Sequence, residues 1–331
     1  MITKTFEKFS NTSVGISSFM LLGVAFYYTT LELKWSFFES SLLNGIIIFG
    51  ALMLSNFAID TITRELTIMR SSRNAYHLLL YPLIVLSYPI ESVDLRFILS
   101  SAAIWAAWRN MRIFFELTNP TKKNKRLFDA CVLLSFSSLI IVENLIIFIY
   151  PLLALITSNI KRDFKHFIII FTTPIIILSS LYVLLSFLSL DSYFFSSYLF
   201  ADQPKAIDEY NFIPNSSRFF LMLVDDYNFN LTYSYVPIFI VFVLFVISVI
   251  IKFSRTYSSR RRVLDLLGVL FIILTCLFFS MDQLSGSEFH YLSLPVVYMV
   301  SQIFAKKINS LYVNFIFIIL IVSTLTFNFL I

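Results

Sequence analysis

Charge is scarce in this 331-residue chain: 14% of its residues are Asp, Glu, Lys or Arg, where a water-soluble globule carries about 25%. That shortage, with 58% hydrophobic residues and a mean hydropathy of +0.82, excludes a soluble domain and leaves a membrane-embedded one. Glycine is scarce as well, at six, so loops that cradle phosphate have little to be built from. No Walker loop, dinucleotide fingerprint, Gly-x-Ser-x-Gly elbow or His-Glu-x-x-His pair occurs, which removes the reaction classes those motifs carry. The two cysteines, Cys131 and Cys276, both sit in apolar runs. A thiol there acts as a small hydrophobe, and neither a disulfide framework nor a cysteine metal cluster can be built. Also lacking is a polar stretch long enough to fold separately, so residues 1–331 read as a single integral-membrane domain.

What the chain has is a succession of apolar runs, near residues 14–31, 41–59, 75–90, 94–113, 127–142, 144–159, 166–189, 236–251, 264–281, 291–305 and 311–331. The first is too long for a cleaved signal peptide and lacks its small-residue exit, so it reads as a span. Hydrocarbon offers backbone amides no partners, which restricts such runs to helices or a closed barrel. Without period-2 alternation the barrel is excluded. The expected fold is therefore all-α, a polytopic transmembrane helical bundle of about eleven spans. Several arms are short of the ~20 residues of a full crossing. Residues 75–113 and 127–159 each fold two arms around a brief polar turn, Glu91-Ser92-Val93-Asp94 and Glu143-Asn144. Two arrangements stay open for them: short helices in a thinned bilayer, or re-entrant hairpins beside a cavity. Pro82, Pro89, Pro151 and Pro174 are expected to kink these or adjacent helices.

Lysine and arginine set the orientation, because cytoplasmic loops retain them. With the N-terminus inside, 21 of the 25 basic residues fall on the cytoplasmic side and 13 of the 20 acids on the other. The C-terminus is then periplasmic and the location is the inner membrane, multi-pass. The inner cations suit anionic lipid headgroups rather than nucleic acid. Trp105 and Trp108, just before Arg109 and Arg112, read as interfacial anchors at the inner boundary. Lys122-Lys123-Asn124-Lys125-Arg126 reads as a solvated inner loop, and Asp129 as the carboxylate opening the helix that follows. His77 and His166 fall inside and His290 outside, so the three histidines share no metal, and no metal or cofactor is expected.

The longest loop, residues 190–235, lies outside and is crowded with aromatics and acids. So many rings place it along the headgroup layer as short amphipathic helices. It is readable as a pocket for a lipid-linked polar substrate or as an interfacial lid. In the first reading Asp225 and Asp226 are candidate bases, and Lys205 and Arg218 candidate phosphate ligands. The other outer carboxylates, Glu32, Glu39, Glu143 and Glu288, are candidates for the same proton transfer. His290 stands beside Glu288 as a candidate substrate-binding group.

Met1-Ile2-Thr3, Asn56-Phe57, Asn74-Ala75-Tyr76, Leu127-Phe128-Asp129-Ala130 and Gly286-Ser287-Glu288-Phe289 occur in that order along the chain. In these motifs and their spacing the sequence resembles the domain of unknown function 6427 family, polytopic inner-membrane proteins of Bacteroidota. Where that family has Trp or His at the outer end of the fifth span, this chain has Ile140-Ile141-Val142-Glu143. The resemblance implies a location and no mechanism. In architecture the chain also resembles the integral-membrane glycosyltransferases that use polyprenyl-phosphate-linked sugars, which implies a lipid-linked donor and a carboxylate base at the outer face. The alternative is a non-catalytic scaffold or transporter subunit of a cell-envelope assembly, bound to a membrane-protein partner.

Overall fold

A computed structural model describes residues 5–6, 9–35, 38, 40–66, 75–88, 90, 92–157, 163–187, 236–253, 258–279, 286–304 and 310–329. Glu39 and the whole loop at 190–235, with Lys205, Arg218, Asp225 and Asp226, lie outside the described residues.

Among the described residues there are eleven α-helices: α1 Asn11–Thr30, α2 Ser41–Leu66, α3 Tyr76–Leu86, α4 Leu95–Glu116, α5 Pro120–Ile140, α6 Ile149–Thr157, α7 Phe164–Phe187, α8 Val236–Phe253, α9 Ser258–Phe279, α10 Ser293–Phe304 and α11 Ser310–Phe329. Two 3-10 helices, Val142–Phe148 and Ser287–Tyr291, precede α6 and α10. Among the described residues the architecture is all-α apart from one short parallel pair, β1 Glu32–Trp35 with β2 Ser92–Asp94, aligned Glu32↔Ser92 and Leu33↔Val93.

The helices follow from local signals. α1 starts on a reciprocal capping box: the Ser13 N–H donates to Ser10 Oγ (3.1 Å) and the Ser10 N–H to Ser13 Oγ (3.0 Å). This satisfies amides that no preceding turn can serve. Three stretches are long and apolar enough to cross a membrane: 11–30 in α1, 41–59 in α2 and 164–181 in α7. Their outward faces are apolar too, with Phe19 77% exposed on α1 and Phe164 77% on α7. Water would not tolerate that contiguous surface, whereas lipid matches it.

α4 is the central helix, packed between α2 and α5, with the Ser287–Tyr291 turn against its start. Ser100, Ser101, Ala102, Ala103 and Ala107 are all buried on it, and small side chains of this kind let neighbouring backbones approach closely. At 22 residues α4 spans ~33 Å at 1.5 Å per residue. It is less apolar than α1 or α7 because protein, not lipid, surrounds it.

Three sequence expectations are corrected. Trp105 and Trp108 are not interfacial anchors; they are 0% and 1% exposed, in the core. The Lys122–Arg126 run is helical rather than a loop, since α5 starts at Pro120 behind the N-cap Asn119, whose Oδ1 accepts from the N–H groups of Thr121 (3.0 Å) and Lys122 (3.3 Å). An Asn-Pro start is a strong helix signal and outweighs the repulsion of the lysines that follow it. Asp129 consequently opens nothing: it lies inside α5 and stands 3.8 Å from Arg126, one turn back.

Candidate functional site

Long-range contacts draw four separated segments together at one end of the bundle. These are β1, β2 with the start of α4, the turn before α6, and the turn before α10. This is the strand end of the bundle; the opposite end, which holds the α4–α5 connection, is its basic end.

Asp94 organises the strand end. Its carboxylate caps α4 by accepting the Arg96 N–H (2.9 Å), where the helix dipole favours negative charge. It also holds the Arg96 guanidinium in a fork, Nε to Oδ1 at 3.1 Å and Nη2 to Oδ2 at 2.8 Å. The Asp94 side chain is almost wholly buried while that of Arg96 keeps 25% of its surface. Asp94 is therefore committed to structure, and Arg96 presents a braced cation.

Gly286 and Ser287 fasten the second turn to this cap. Gly286 has φ 88°, a left-handed conformation that a Cβ penalises. From it Ser287 reaches β2: its Oγ accepts the Asp94 N–H (3.0 Å) and donates to Ser92 O (3.2 Å). Glu288 and His290, in the same turn, are each 1% exposed.

The His290 carbonyl accepts from Ser293 Oγ (2.8 Å) and Trp105 Nε1 (3.4 Å). Its ring meets the edges of Tyr28 and Tyr88. The Tyr28 hydroxyl spends its one proton on Val85 O (3.1 Å) and stands 3.4 Å from His290 Nε2, which assigns the imidazole proton to Nε2. Burial pushes the imidazole down to about 3, so His290 is neutral at pH 7.

The third connection is a buried polar knot. Asn144 Nδ2 donates to Ser137 Oγ (2.9 Å) and Tyr291 Oη (3.0 Å), and also contacts Ser100 Oγ. Tyr291 Oη donates to Asn144 Oδ1 (3.1 Å), and Ser100 and Ser137 bond through their hydroxyls (2.7 Å). Four elements are tied by groups whose polar atoms satisfy one another, as an apolar setting demands.

Of the sequence candidates, then, Glu32, Glu143, Glu288 and His290 meet at the strand end. Glu32 and Glu143 are exposed, each beside a fixed anchor: Glu32 on β1, and Glu143 next to Asn144. Tyr291 lies within electrostatic reach of both Glu143 and Asp94. Arg96 is a residue that the sequence candidates missed; the signal was Asp94-Leu95-Arg96 opening an apolar run. Asn144 and Tyr291 carried no signal, since what unites them is a contact across 147 positions. Among the described residues no three His, Cys, Asp or Glu side chains gather into a group that could hold a metal.

No family model matches the chain, and no curated protein or solved structure matches it either.

Proposed function

We propose that the chain is a multi-pass inner-membrane protein of the domain of unknown function 6427 family. It crosses about eleven times, with a cytoplasmic N-terminus, and transfers sugar from a polyprenyl-phosphate carrier at its periplasmic strand end. One observation supports the chemistry above the others: two exposed carboxylates from separate segments, Glu32 on β1 and Glu143 in the turn before α6, share an end of the bundle with Arg96, whose side chain keeps 25% of its surface.

In this reading one of the two carboxylates takes the proton from an acceptor hydroxyl as its oxygen bonds to the sugar C1. The bond from C1 to the carrier's phosphate oxygen breaks at the same time, and the polyprenyl phosphate leaves with the electron pair. A guanidinium is suited to that leaving phosphate. Buried Glu288 and neutral His290 shape the platform.

The test is release of polyprenyl phosphate from a polyprenyl-phosphate hexose by the full chain in vesicles. Glu32→Gln or Glu143→Gln is expected to slow release about 100-fold or more, the scale of a lost general base, without loss of protein. No release by the wild type, or unchanged release in both variants, contradicts the reading. A second reading, a non-catalytic scaffold, is favoured by one fact: Asp94, Glu288 and His290 are all about 1% exposed. A stoichiometric membrane-protein partner retained in mild detergent, together with inert Glu32 and Glu143 variants, would decide for it.

A further inference from the structure

α5 carries a surface that the proposed chemistry does not use. Lys122, Lys125, Phe128, Val132 and Phe136 follow one another at intervals of three, three, four and four residues, which lays them along one stripe of the helix. Lys122 and Lys125 are exposed, Phe128 and Phe136 stay 47% and 51% exposed, and Val132 is partly so. The opposite stripe, Leu127, Ala130, Cys131 and Leu134, is buried against the bundle. The outward stripe thus starts with two cations and continues as bare hydrocarbon and rings. Its apolar part, from Phe128 to Phe136, covers ~12 Å at 1.5 Å per residue, close to the ~15 Å hydrocarbon depth of one leaflet.

The lysines stand level with the first turn of α7. Lys123 interacts with His166 in the first turn of α7, and Phe114 of α4 packs edge-on against the same His166 (5.1 Å). α7 is one of the three membrane-length helices, and its apolar surface begins at Phe164. Exposed Lys165 adds a further cation at this level. The nearby acids offset the charge only in part. Asp129 is turned to Arg126, Glu116 to Arg112, and Asp163 caps α7 through the Lys165 N–H. Cations in the first turns of a helix also oppose its dipole, which an anion there relieves.

We infer that this stripe of α5 is a binding site for an anionic phospholipid, its phosphate held by Lys122 and Lys125 and one acyl chain lying along Phe128, Val132 and Phe136. Charge complementarity selects an anionic headgroup, and the apolar continuation selects an intact lipid over a free phosphate. The site sits on the basic end and does not depend on the transfer reaction.

The experiment is native mass spectrometry of the full chain taken from vesicles of equal phosphatidylglycerol and phosphatidylcholine. The wild type is expected to retain phosphatidylglycerol in clear excess. Lys122→Gln and Lys125→Gln are each expected to reduce that excess about fivefold, the scale of one interfacial lysine, while Lys306→Gln/Lys307→Gln leaves it unchanged. An equal loss in the control pair would show diffuse attraction and overturn the site, as would displacement of the lipid by millimolar inorganic phosphate. Melting in lipid-free neutral detergent gives a second readout. The Lys122→Gln/Lys125→Gln variant is expected to melt at or above the wild-type temperature there and to lose the stabilisation that phosphatidylglycerol confers. A lower melting temperature without lipid would mean that these lysines hold the fold, and would overturn the assignment.

Discussion

Asn144 and Tyr291 exchange hydrogen bonds across 147 positions of sequence, Nδ2 to Oη at 3.0 Å and Oη to Oδ1 at 3.1 Å. One joins the turn before α6 and the other the turn before α10, and both close on Ser100 of central α4. Asn144→Ala takes from the Ser100, Ser137 and Tyr291 hydroxyls the amide that all three contact and leaves them only one another in an apolar interior. It is expected to cost about 1–3 kcal/mol, and Tyr291→Phe less, because that change removes one hydroxyl and spares the rest. Thermal unfolding in detergent reads both; a Tyr291→Phe protein less stable than Asn144→Ala would refute the knot as described.

His290 makes stability depend on pH. Its folded value, pushed down by burial to about 3, lies below the ordinary ~6.5 of the unfolded chain. The unfolded chain therefore binds the extra proton first, so stability is full above about pH 6.5 and falls as pH drops toward 3, by about 1.4 kcal/mol per unit. Melting curves between pH 7.5 and 4.5 are expected to fall more steeply for the wild type than for His290→Gln. Parallel curves would contradict a buried neutral imidazole.

Asp94 serves as cap and counter-ion together. Asp94→Ala removes both and is expected to destabilise by about 1–3 kcal/mol. Asp94→Asn retains an oxygen for the Arg96 N–H and is expected to lose less. Chemical denaturation in detergent distinguishes them, and equal losses would assign the whole effect to the ion pair.

Gly286→Ala places a Cβ on a residue at φ 88°, at about 1–2 kcal/mol. The larger expected consequence is local, since Ser287 would no longer meet Ser92 and Asp94. Amide exchange in Ser92–Asp94 is expected to accelerate, and unchanged protection there would refute the staple.

The helices were legible because each apolar run must form its own hydrogen bonds; the run at 166–189 appears as Phe164–Phe187, and that at 236–251 as Val236–Phe253. The hairpin arms were short for a visible reason: α3 has 11 residues, and the arm after Glu143 is a 3-10 segment running into nine residues of α6. Hydropathy failed where charge and helix coincide, as in Lys122–Arg126, because counting cations does not register an Asn-Pro cap. The candidate site was half legible. Glu32, Glu143, Glu288 and His290 could be named from loop position alone. That two are exposed and two buried could not, because burial is decided by packing between distant segments. The parallel pairing of Glu32 with Ser92 was invisible for the same reason: three or four residues carry no alternation to detect.

The most direct test of the whole account is the side of the membrane on which the strand end lies, and α5 alone suffices for it. With Cys131 and Cys276 replaced by serine, single cysteines at Thr121 and Glu143 mark positions beside the two ends of that helix, both exposed. In cells whose inner membrane is intact but accessible from outside, an impermeant maleimide is predicted to label Glu143→Cys at once, and Thr121→Cys only after the membrane is opened. Labelling in the reverse order, or of both positions before opening, would contradict a periplasmic strand end and with it the chemistry assigned there.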